Sequence, residues 1–401
     1  MTGIAVVWLD IAARWIHVIA AIMWIGDSLL FMWIDSHLRP DPESRADVAG
    51  VTWLLHAGGY YHLEQRRLLP GRLPPYLRWF WLEATTTWIS GFLLLILVYY
   101  LNADALMIDR GVSHLTAAQS IAVGLAMLPA GWFLYDALWR TPLARAPLPA
   151  WSVSFALLAG TVYAVTHLLS PRAAFLHVGA VLGTIMVVNV WVHVLPPQRR
   201  MLQAARSGRD VDYSLGRHAK IRSTHNTYLT FPVIFLMLSQ HFPSVLAARP
   251  LWVVLVLFVV LGAGARHVML AGIPAARWSG VAAAAAAVVL GLLIVARIPP
   301  SPRGPSGTLG EAASAPSFAA VRGIIAQRCA ACHSETPVMP GIAAAPNGVK
   351  FDTPAEIEAR AALIKLRAVD LGSMPPGNVT HITDAERDIL KRWVEAGAPL
   401  K

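Results

Sequence analysis

The sequence predicts an all-α protein, a polytopic bundle of about eight transmembrane helices followed by a small helical domain at the C-terminus. Three observations support this fold class. Of the 401 residues, 56% are hydrophobic and only 14% are charged, whereas soluble globular chains carry about 25% charged residues. Long apolar runs recur from the N-terminus to about residue 298. Beyond that point the chain becomes rich in Pro, Gly and Ser and then ordinarily charged, which indicates a second domain.

Eight apolar stretches are long enough to cross a bilayer, because a transmembrane helix needs about 20 residues. They lie at 8–34, 79–101, 119–138, 150–169, 174–196, 226–242, 251–271 and 278–298. These stretches assign residues 1–298 to a transmembrane helical domain. The Pro/Gly/Ser-rich segment 299–316 is predicted to be a linker, because these residues do not build a packed element. Residues 317–401 form the predicted C-terminal domain.

Lys and Arg are concentrated in the loops that follow the odd-numbered spans, most densely in the loop that includes Arg199, Arg200 and Arg222. Loops rich in these residues face the cytoplasm. An even number of spans then places both termini on the opposite side, which is the periplasm for a multi-pass protein of a bacterial inner membrane. This topology explains the formal net charge of +10, so the sequence predicts surrounding membrane lipid and no nucleic-acid partner.

The chain has only two cysteines, Cys329 and Cys332, and His333 follows them directly. This C-x-x-C-H pattern is typical of covalent haem c attachment, in which two thiols form thioethers and the imidazole binds the iron. A zinc site or a redox dithiol is the alternative, but zinc requires further Cys or spaced His ligands. Bacteria attach haem c in the periplasm, which agrees with the predicted orientation. The sequence therefore predicts one haem c in a mono-haem cytochrome c domain, with a helix from Arg322 to His333.

A second axial ligand to the haem iron is expected from a methionine in a loop. Met374 lies in the segment Gly-Ser-Met-Pro-Pro-Gly, where the prolines stiffen the backbone around the sulfur. Met339 is the alternative, although it follows His333 so closely that the chain would have to turn around the haem edge. His333 and Met374 are therefore the predicted iron ligands. A final helix from Asp384 to Ala396 is expected to close the haem crevice.

Several histidines fall within or at the ends of the predicted spans, where ionisable groups are costly and suggest function. His177 and His241 lie near periplasmic ends, His193 and His225 near cytoplasmic ends, and His17 closer to mid-depth. One interpretation is that His17, His177 and His241 bind haem b in the membrane domain. The alternative is that these histidines lie at helix interfaces and form hydrogen bonds to neighbouring carbonyl groups.

Other polar groups face the predicted cytoplasmic side. Glu83 and Asp136 are candidate proton acceptors or substrate contacts, and pairing with an arginine at the membrane edge is their alternative. The loop His56-Ala57-Gly58-Gly59-Tyr60-Tyr61 combines glycines, which allow close approach of a ligand, with rings that could stack on a planar one. A plain glycine turn is equally consistent with this segment.

Taken together, these segments resemble the membrane-bound urate hydroxylases, the cytochrome c-fused urate oxidases of bacteria. The resemblance covers nearly the whole chain and keeps several separated segments in order before the haem c motif. Those segments are Trp15–Val18, Trp24–Asp27, His56–Tyr61, Trp79–Ala84, Thr87–Phe92, Gly131–Asp136, His225–Pro232 and Ser239–Pro243.

The resemblance implies an enzyme of purine catabolism that oxidises urate to 5-hydroxyisourate. It implies that the electrons pass to the fused cytochrome c and on to a soluble cytochrome c or a terminal oxidase. The base that accepts the substrate proton would be His193, His225 or Glu83. Tyr60 and Asn226 would position the purine ring.

Two other functions are compatible with the same residues. One is a quinol to cytochrome c electron-transfer protein, in which the membrane histidines bind haem b and the substrate is lipid-soluble. The other is a haem or metal transport protein without purine chemistry, which would show no steady turnover with any reductant.

Overall fold

A computed structural model describes residues 3–295 and 316–400, except residues 42, 44, 74, 75, 110, 111, 243, 244, 247, 249, 340, 341, 343, 344, 347, 348 and 371. The described part of the chain is mostly helical, as the sequence predicts. The predicted linker lies, apart from Pro316, outside the described residues.

The N-terminal part is built from long helices. In chain order they are α1 (Gly3–His37), α2 (Leu82–Leu94), α3 (Ala103–Leu106), α4 (Ala117–Arg140), α5 (Pro147–Thr166), α6 (Pro171–Asn189), α7 (Leu195–Arg206), α8 (Tyr213–Leu238) and α9 (Leu251–Val295). A π-helical segment, Leu95–Tyr100, extends α2, and a second, Val190–Val194, joins α6 to α7. Such insertions often lie at functional sites, and the second one carries His193.

Within the described residues, six helices are long and apolar enough to span a membrane. They are Trp8–His37, Leu82–Tyr100, Ala117–Arg140, Pro147–Thr166, Pro171–Arg206 and Leu251–Met269. Six of the eight predicted spans are therefore confirmed as candidates by length and composition. The predicted span 226–242 is not among these six helices. It is helical, but its helix α8 begins at Tyr213, and polar residues along its first half lower its hydropathy.

The sequence also predicts a loop around Arg277, between the seventh and eighth spans. That prediction is wrong, because α9 is one continuous helix from Leu251 to Val295. Pro is tolerated inside a long helix when the chain bends there. Leu290, near the end of α9, is buried in the same hydrophobic cluster as Leu255, so this end of the helix also lies against the bundle. The last residues of the predicted span 278–298 fall outside the described part.

A β-hairpin follows α1, although the sequence predicts only helices and loops. Strand β1 (Val48–His56) pairs with the antiparallel strand β2 (Gly59–Arg66). Ala57 and Gly58 form the turn with φ angles of 50° and 80°, and two positive φ angles are what a two-residue type I′ hairpin turn requires. The glycine-turn alternative for this segment therefore describes the structure better than a ligand-binding loop.

Helix α6 lies at the centre of the bundle. It packs against α4, α5 and α8 as well as α2, and Phe175, Val178 and Leu182 on it are almost completely buried. A helix buried on most of its faces is expected to be apolar all round. Polar residues on α6 therefore need partners inside the bundle, and this requirement shapes the candidate site.

The tightest helix contact in this region predicts a stability effect. At Gly262 on α9 an added Cβ atom would lie 2.6 Å from the backbone nitrogen of Pro232 on α8. We expect Gly262→Ala to destabilise the protein by about 1–3 kcal/mol, because backbone atoms cannot yield as a flexible side chain can. Thermal unfolding in detergent measures this effect. The matched control is Gly160→Ala on α5, where an added Cβ meets no atom within 4 Å. Equal melting temperatures for the two variants would contradict the prediction.

The C-terminal unit, residues 316–400, has its own hydrophobic core, which includes Val321, Ile357, Leu390 and Trp393. Its helices are α10 (Phe318–Arg328), α11 (Pro354–Ala359), α12 (Ala361–Ile364) and α13 (Asp384–Glu395). The predicted helix from Arg322 to His333 needs correction. Helix α10 ends at Arg328, and Cys329–His333 form a turn in which the Cys329 carbonyl accepts hydrogen bonds from the amides of Cys332 and His333.

The C-terminal unit touches the N-terminal part at α3. The turn Pro376–Asn378, just after Met374, packs against Ala103–Leu106. Helix α3 lies in the loop between α2 and α4, and the sequence places this loop on the periplasmic side. The same end of the bundle therefore carries the C-terminal unit.

Candidate functional site

The bundle contains a cavity of about 470 Å³ between α4, α5, α6, α8 and α9. Its walls are mainly aliphatic and aromatic, and its polar lining residues are Tyr135, Ser154, Thr161, His225, Tyr228 and His267. A mostly apolar pocket with a few convergent polar groups is the usual form of a small-molecule site. The cavity residues of α4 all lie in the second half of that helix, away from α3 and the C-terminal unit.

His225 is the central polar residue of the cavity wall. It is 4% exposed, and its Nδ1 atom lies 2.6 Å from the Tyr135 hydroxyl. The indole rings of Trp139 and Trp151 pack on it, with centroids 4.1 Å and 4.7 Å from the imidazole centroid. No described residue forms a hydrogen bond with its Nε2 atom. A tautomer that donates Nδ1–H to Tyr135 leaves a lone pair on Nε2, as a general base requires.

Two buried amides hold Tyr135 in place. The Nδ2 group of Asn189 donates to the Tyr135 hydroxyl over 3.1 Å and to Oδ1 of Asn226 over 3.0 Å. Asn226 in turn donates to the carbonyl of Met186 over 2.8 Å. Asn226, the predicted substrate contact, does not line the cavity. Its connection to the cavity wall runs through Asn189 and Tyr135.

An ion cluster around Asp136 lies beside this wall. Its carboxylate accepts from His193 Nε2 at 2.6 Å, from Arg222 Nη2 at 3.1 Å and from Arg140 Nε at 2.6 Å. Asp136 thus pairs with arginine, which is the alternative to a catalytic role that the sequence suggests for it. The Arg222 guanidinium lies 5.1 Å above the ring of Tyr135 and so connects the cluster to the cavity wall.

Replacing the shared carboxylate tests whether this cluster stabilises the bundle. We expect Asp136→Asn to cost about 3–5 kcal/mol, because it leaves the buried Arg222 without a counter-charge. Thermal unfolding of the purified protein measures this cost. Asp35→Asn is the matched control, since its pair with Lys220 is partly exposed and such pairs contribute about 0–1 kcal/mol. A loss no larger than that of the control would show that the cluster contributes little to stability.

A second cavity, of about 370 Å³, adjoins the first. It is lined by residues of α1 and α8 that include Asp35, Lys220 and Thr224, and it shares Tyr228 and His267 with the first cavity. The Tyr228 hydroxyl lies 2.8 Å from His267 Nδ1. This pair therefore stands between the two cavities.

The structure does not bring all the predicted catalytic and binding residues together. Glu83, on α2, forms an ion pair with Arg78 at 2.9 Å and does not line either cavity. Tyr60 lies on β2 opposite Leu55 and is 78% exposed. His193 contacts the cavity wall only indirectly, through Asp136 and Arg222. Of the predicted residues, His225 is thus the one at the cavity itself.

The predicted ligands of haem b occupy ordinary helix contacts. His17 Nδ1 lies 2.9 Å from the carbonyl of Thr87, and His177 Nδ1 lies 2.8 Å from the carbonyl of Ala173. His241 is exposed in a short turn after α8. These contacts match the alternative interpretation of interface histidines. Across the described residues, no group of three or more His, Cys, Asp or Glu side chains could hold a metal ion.

The C-terminal unit offers donors that fit haem c. Cys329 and Cys332 are free thiols, and burial raises the pKa of the Cys329 thiol to about 12. His333 donates Nδ1–H to the carbonyl of Val349 over 2.9 Å, which leaves Nε2 available for iron. Met374 packs against the core of the unit, and Met339 does not belong to that core. This set of donors suits a thioether-linked haem with His and Met ligands.

Comparison with known proteins shows a family relationship. The family described as urate oxidase N-terminal matches residues 3–297. The chain belongs to the urate oxidase N-terminal family. The match contains every residue that lines the two cavities. No curated protein and no solved structure matched the chain.

Membership in the urate oxidase N-terminal family confirms the predicted resemblance at the level of the family. Sequence reasoning missed several residues of the site. Tyr135 falls within a segment that carries the resemblance, so it could have been identified there. Arg222 was counted as a loop charge, because the apolar run of its helix begins only after His225. Asn189 gives no local signal in the sequence.

Proposed function

We propose that the chain is a membrane-bound urate hydroxylase that oxidises urate to 5-hydroxyisourate. In this proposal, the electrons pass to its C-terminal cytochrome c domain and on to a soluble cytochrome c or a terminal oxidase. Family membership supports an oxidoreductase that acts on urate. The observation that carries the proposal is the cavity inside the matched bundle, with His225 on its wall.

The reaction converts urate and water into 5-hydroxyisourate, two protons and two electrons. A new bond forms between C5 of the purine and the oxygen of water. His225 Nε2 accepts a proton during this step, and Tyr135 holds the imidazole in place through its contact with Nδ1. The indole rings of Trp139 and Trp151 limit the movement of the imidazole.

The ion cluster offers a path for the released protons. Asp136 pairs with His193 and with Arg222, and the Arg222 guanidinium lies over the ring of Tyr135. Asp136 also pairs with Arg140, whose side chain is 61% exposed. Arg140 is located at the end of α4, on the side that the sequence predicts to be cytoplasmic. Protons released at the cavity therefore have a short polar route to that side.

Cys329 and Cys332 would hold the haem through thioethers, with His333 Nε2 and Met374 Sδ as iron ligands. A haem held in this way accepts and passes on one electron at a time. The chain around Met374 is fixed by Arg387, which donates to the Met374 carbonyl over 3.0 Å. The neighbouring turn packs against α3, which supports electron transfer from the bundle into this unit.

We propose that the protein resides in the bacterial inner membrane with the cytochrome c domain in the periplasm. The six candidate spans support a membrane protein. The contact of the C-terminal unit with α3 supports the periplasmic side, since the Arg-poor loop that carries α3 is predicted to face it.

Reduction of the haem by substrate tests the proposed function. Urate is added without oxygen to the purified, oxidised full-length protein, and the α-band of c-type haem is recorded. We expect reduction by urate and formation of 5-hydroxyisourate. The apolar walls of the cavity also suit the quinol alternative, so a short-chain quinol is added to a second sample. Reduction by quinol and not by urate would contradict the proposal.

A further inference from the structure

Arg266 on α9 is a buried cation whose donor atoms are not all used. Arg266 as a whole is 3% exposed. Its Nε and Nη2 atoms are both buried and have no hydrogen-bond partner. Guanidinium groups in folded proteins normally satisfy most of their donors, because each buried unpaired one costs about 1–3 kcal/mol. Two such donors on one side chain indicate a missing partner.

The charge of Arg266 is also unmatched. No carboxylate among the described residues forms an ion pair with it, whereas the charge of Arg222 is matched by Asp136. A lone charge inside a membrane protein usually reaches the interface with a long side chain. Arg266 does not, because its head group is enclosed by the bundle. The missing partner should therefore be an anion.

The position of Arg266 connects it with the cavity. Ala263 and His267, three residues before it and one residue after it on α9, line the cavity. Arg266 also lies close enough to Tyr228 for their charges to interact, and Tyr228 lines both cavities. Arg222 contributes a third free donor, because its buried Nη1 atom has no partner. Neither guanidinium lines either cavity, so the unmatched charge of Arg266 lies just behind the cavity wall that Ala263 and His267 form.

We infer that this wall binds a planar heterocyclic anion, with Arg266 as its charge partner. The inference rests on the proposed function and makes it more specific, because urate is a monoanion at neutral pH. The negative charge shared by its exocyclic carbonyl oxygens and deprotonated nitrogen would be attracted by the Arg266 guanidinium behind the wall, and this attraction is strong where the dielectric constant is low. The apolar walls would cover the faces of the ring. An uncharged purine would leave the guanidinium unmatched and bind less tightly.

Ligand binding to the full-length protein in detergent tests this inference. The ligands are urate, orotate as an anion unrelated to turnover, and hypoxanthine as an uncharged purine. The variants are Arg266→Gln, which removes the charge, and Arg266→Lys, which keeps it. Arg217→Gln removes the same charge from an exposed position on α8 and serves as the matched control. Dissociation constants are measured by calorimetry, and folding is followed by thermal unfolding.

We expect Arg266→Gln to weaken the binding of both anions at least tenfold, which is about 1.4 kcal/mol, and that of hypoxanthine less than twofold. Arg266→Lys should retain part of the affinity, and Arg217→Gln all of it. Without ligand, Arg266→Gln should melt no lower than the unmodified chain, because it removes an unmatched buried charge. The rise in melting temperature that urate causes should be lost in this variant.

Other results would overturn the inference. Equal weakening of anions and hypoxanthine by Arg266→Gln would show a structural role, and unchanged affinity for all ligands would show no role in binding. Failure of the unmodified chain to bind either anion would also reject it, even if urate reduces the haem in the preceding experiment. Binding of orotate through Arg266 without any binding of urate would support the anion site and contradict the proposed substrate.

Discussion

Replacing His225 with alanine is expected to lower the rate at which urate reduces the proposed c-type haem by about 10²–10⁴-fold, the usual contribution of a general base. The effect follows from the position of the imidazole. His225 lines the cavity, and its Nδ1 atom is held by Tyr135 while no described residue binds Nε2. His267, the other histidine that lines the cavity, has a similar contact with Tyr228 but is less buried than His225.

Stopped-flow spectroscopy of the anaerobic protein measures the rate for His225→Ala. The matched control is His218→Ala, which removes an exposed histidine from the same helix and should leave the rate unchanged. Haem content should be equal in both variants. A rate for His225→Ala within twofold of the control would show that another residue accepts the proton. His193 would then be the next candidate base, because of its contact with Asp136.

Replacing His333 with alanine is expected to abolish covalent haem and with it all urate-dependent electron transfer. His333 is the imidazole of the C-x-x-C-H motif, and its Nδ1–H donates to the Val349 carbonyl, which fixes the ring with Nε2 free for iron. Met374→Ala should keep the thioether-linked haem while changing its spectrum and potential, because only the second axial ligand is lost.

A pyridine haemochrome spectrum of each purified variant measures this outcome and counts b-type and c-type haem together. His381→Asn is the control for His333, since it removes an exposed histidine of the same unit at a positive φ of 55°, where asparagine is tolerated. Met339→Ala is the control for Met374. Covalent haem in His333→Ala would refute the assigned ligand, and a changed spectrum in Met339→Ala would favour the alternative sixth ligand.

The apolar runs were sufficient to predict the helical bundle, and the C-x-x-C-H motif predicts the donors for haem c, which stay a prediction. Both are local signals, because a span is about 20 residues of continuous chain and the three donors are nearly adjacent. The same local reasoning failed for α8. The polar residues before Asn226 were assigned to a loop, whereas they form the buried half of a helix that begins at Tyr213.

The candidate site could not be predicted as a whole, because its contacts join residues that are far apart along the chain. Tyr135 and His225 are separated by 90 positions, and Asp136 and Arg222 by 86. The sequence of neither segment indicates which faces of the two helices pack together. Tyr60 was grouped with the site because its segment is rich in glycine and tyrosine. The hairpin turn instead directs it to the surface of the β-hairpin.

The cavity lies inside the bundle and the C-terminal unit lies against α3, and this arrangement has an electrical consequence under the proposed function. With the proposed orientation, an electron that leaves the substrate would travel outward across part of the bilayer, while the protons would leave on the inner side. In a cell whose interior is negative, each such electron moves down the membrane voltage and gains about 2.3 kcal/mol per 100 mV. Turnover would then depend on the energised state of the membrane and would be faster in polarised vesicles than in leaky ones.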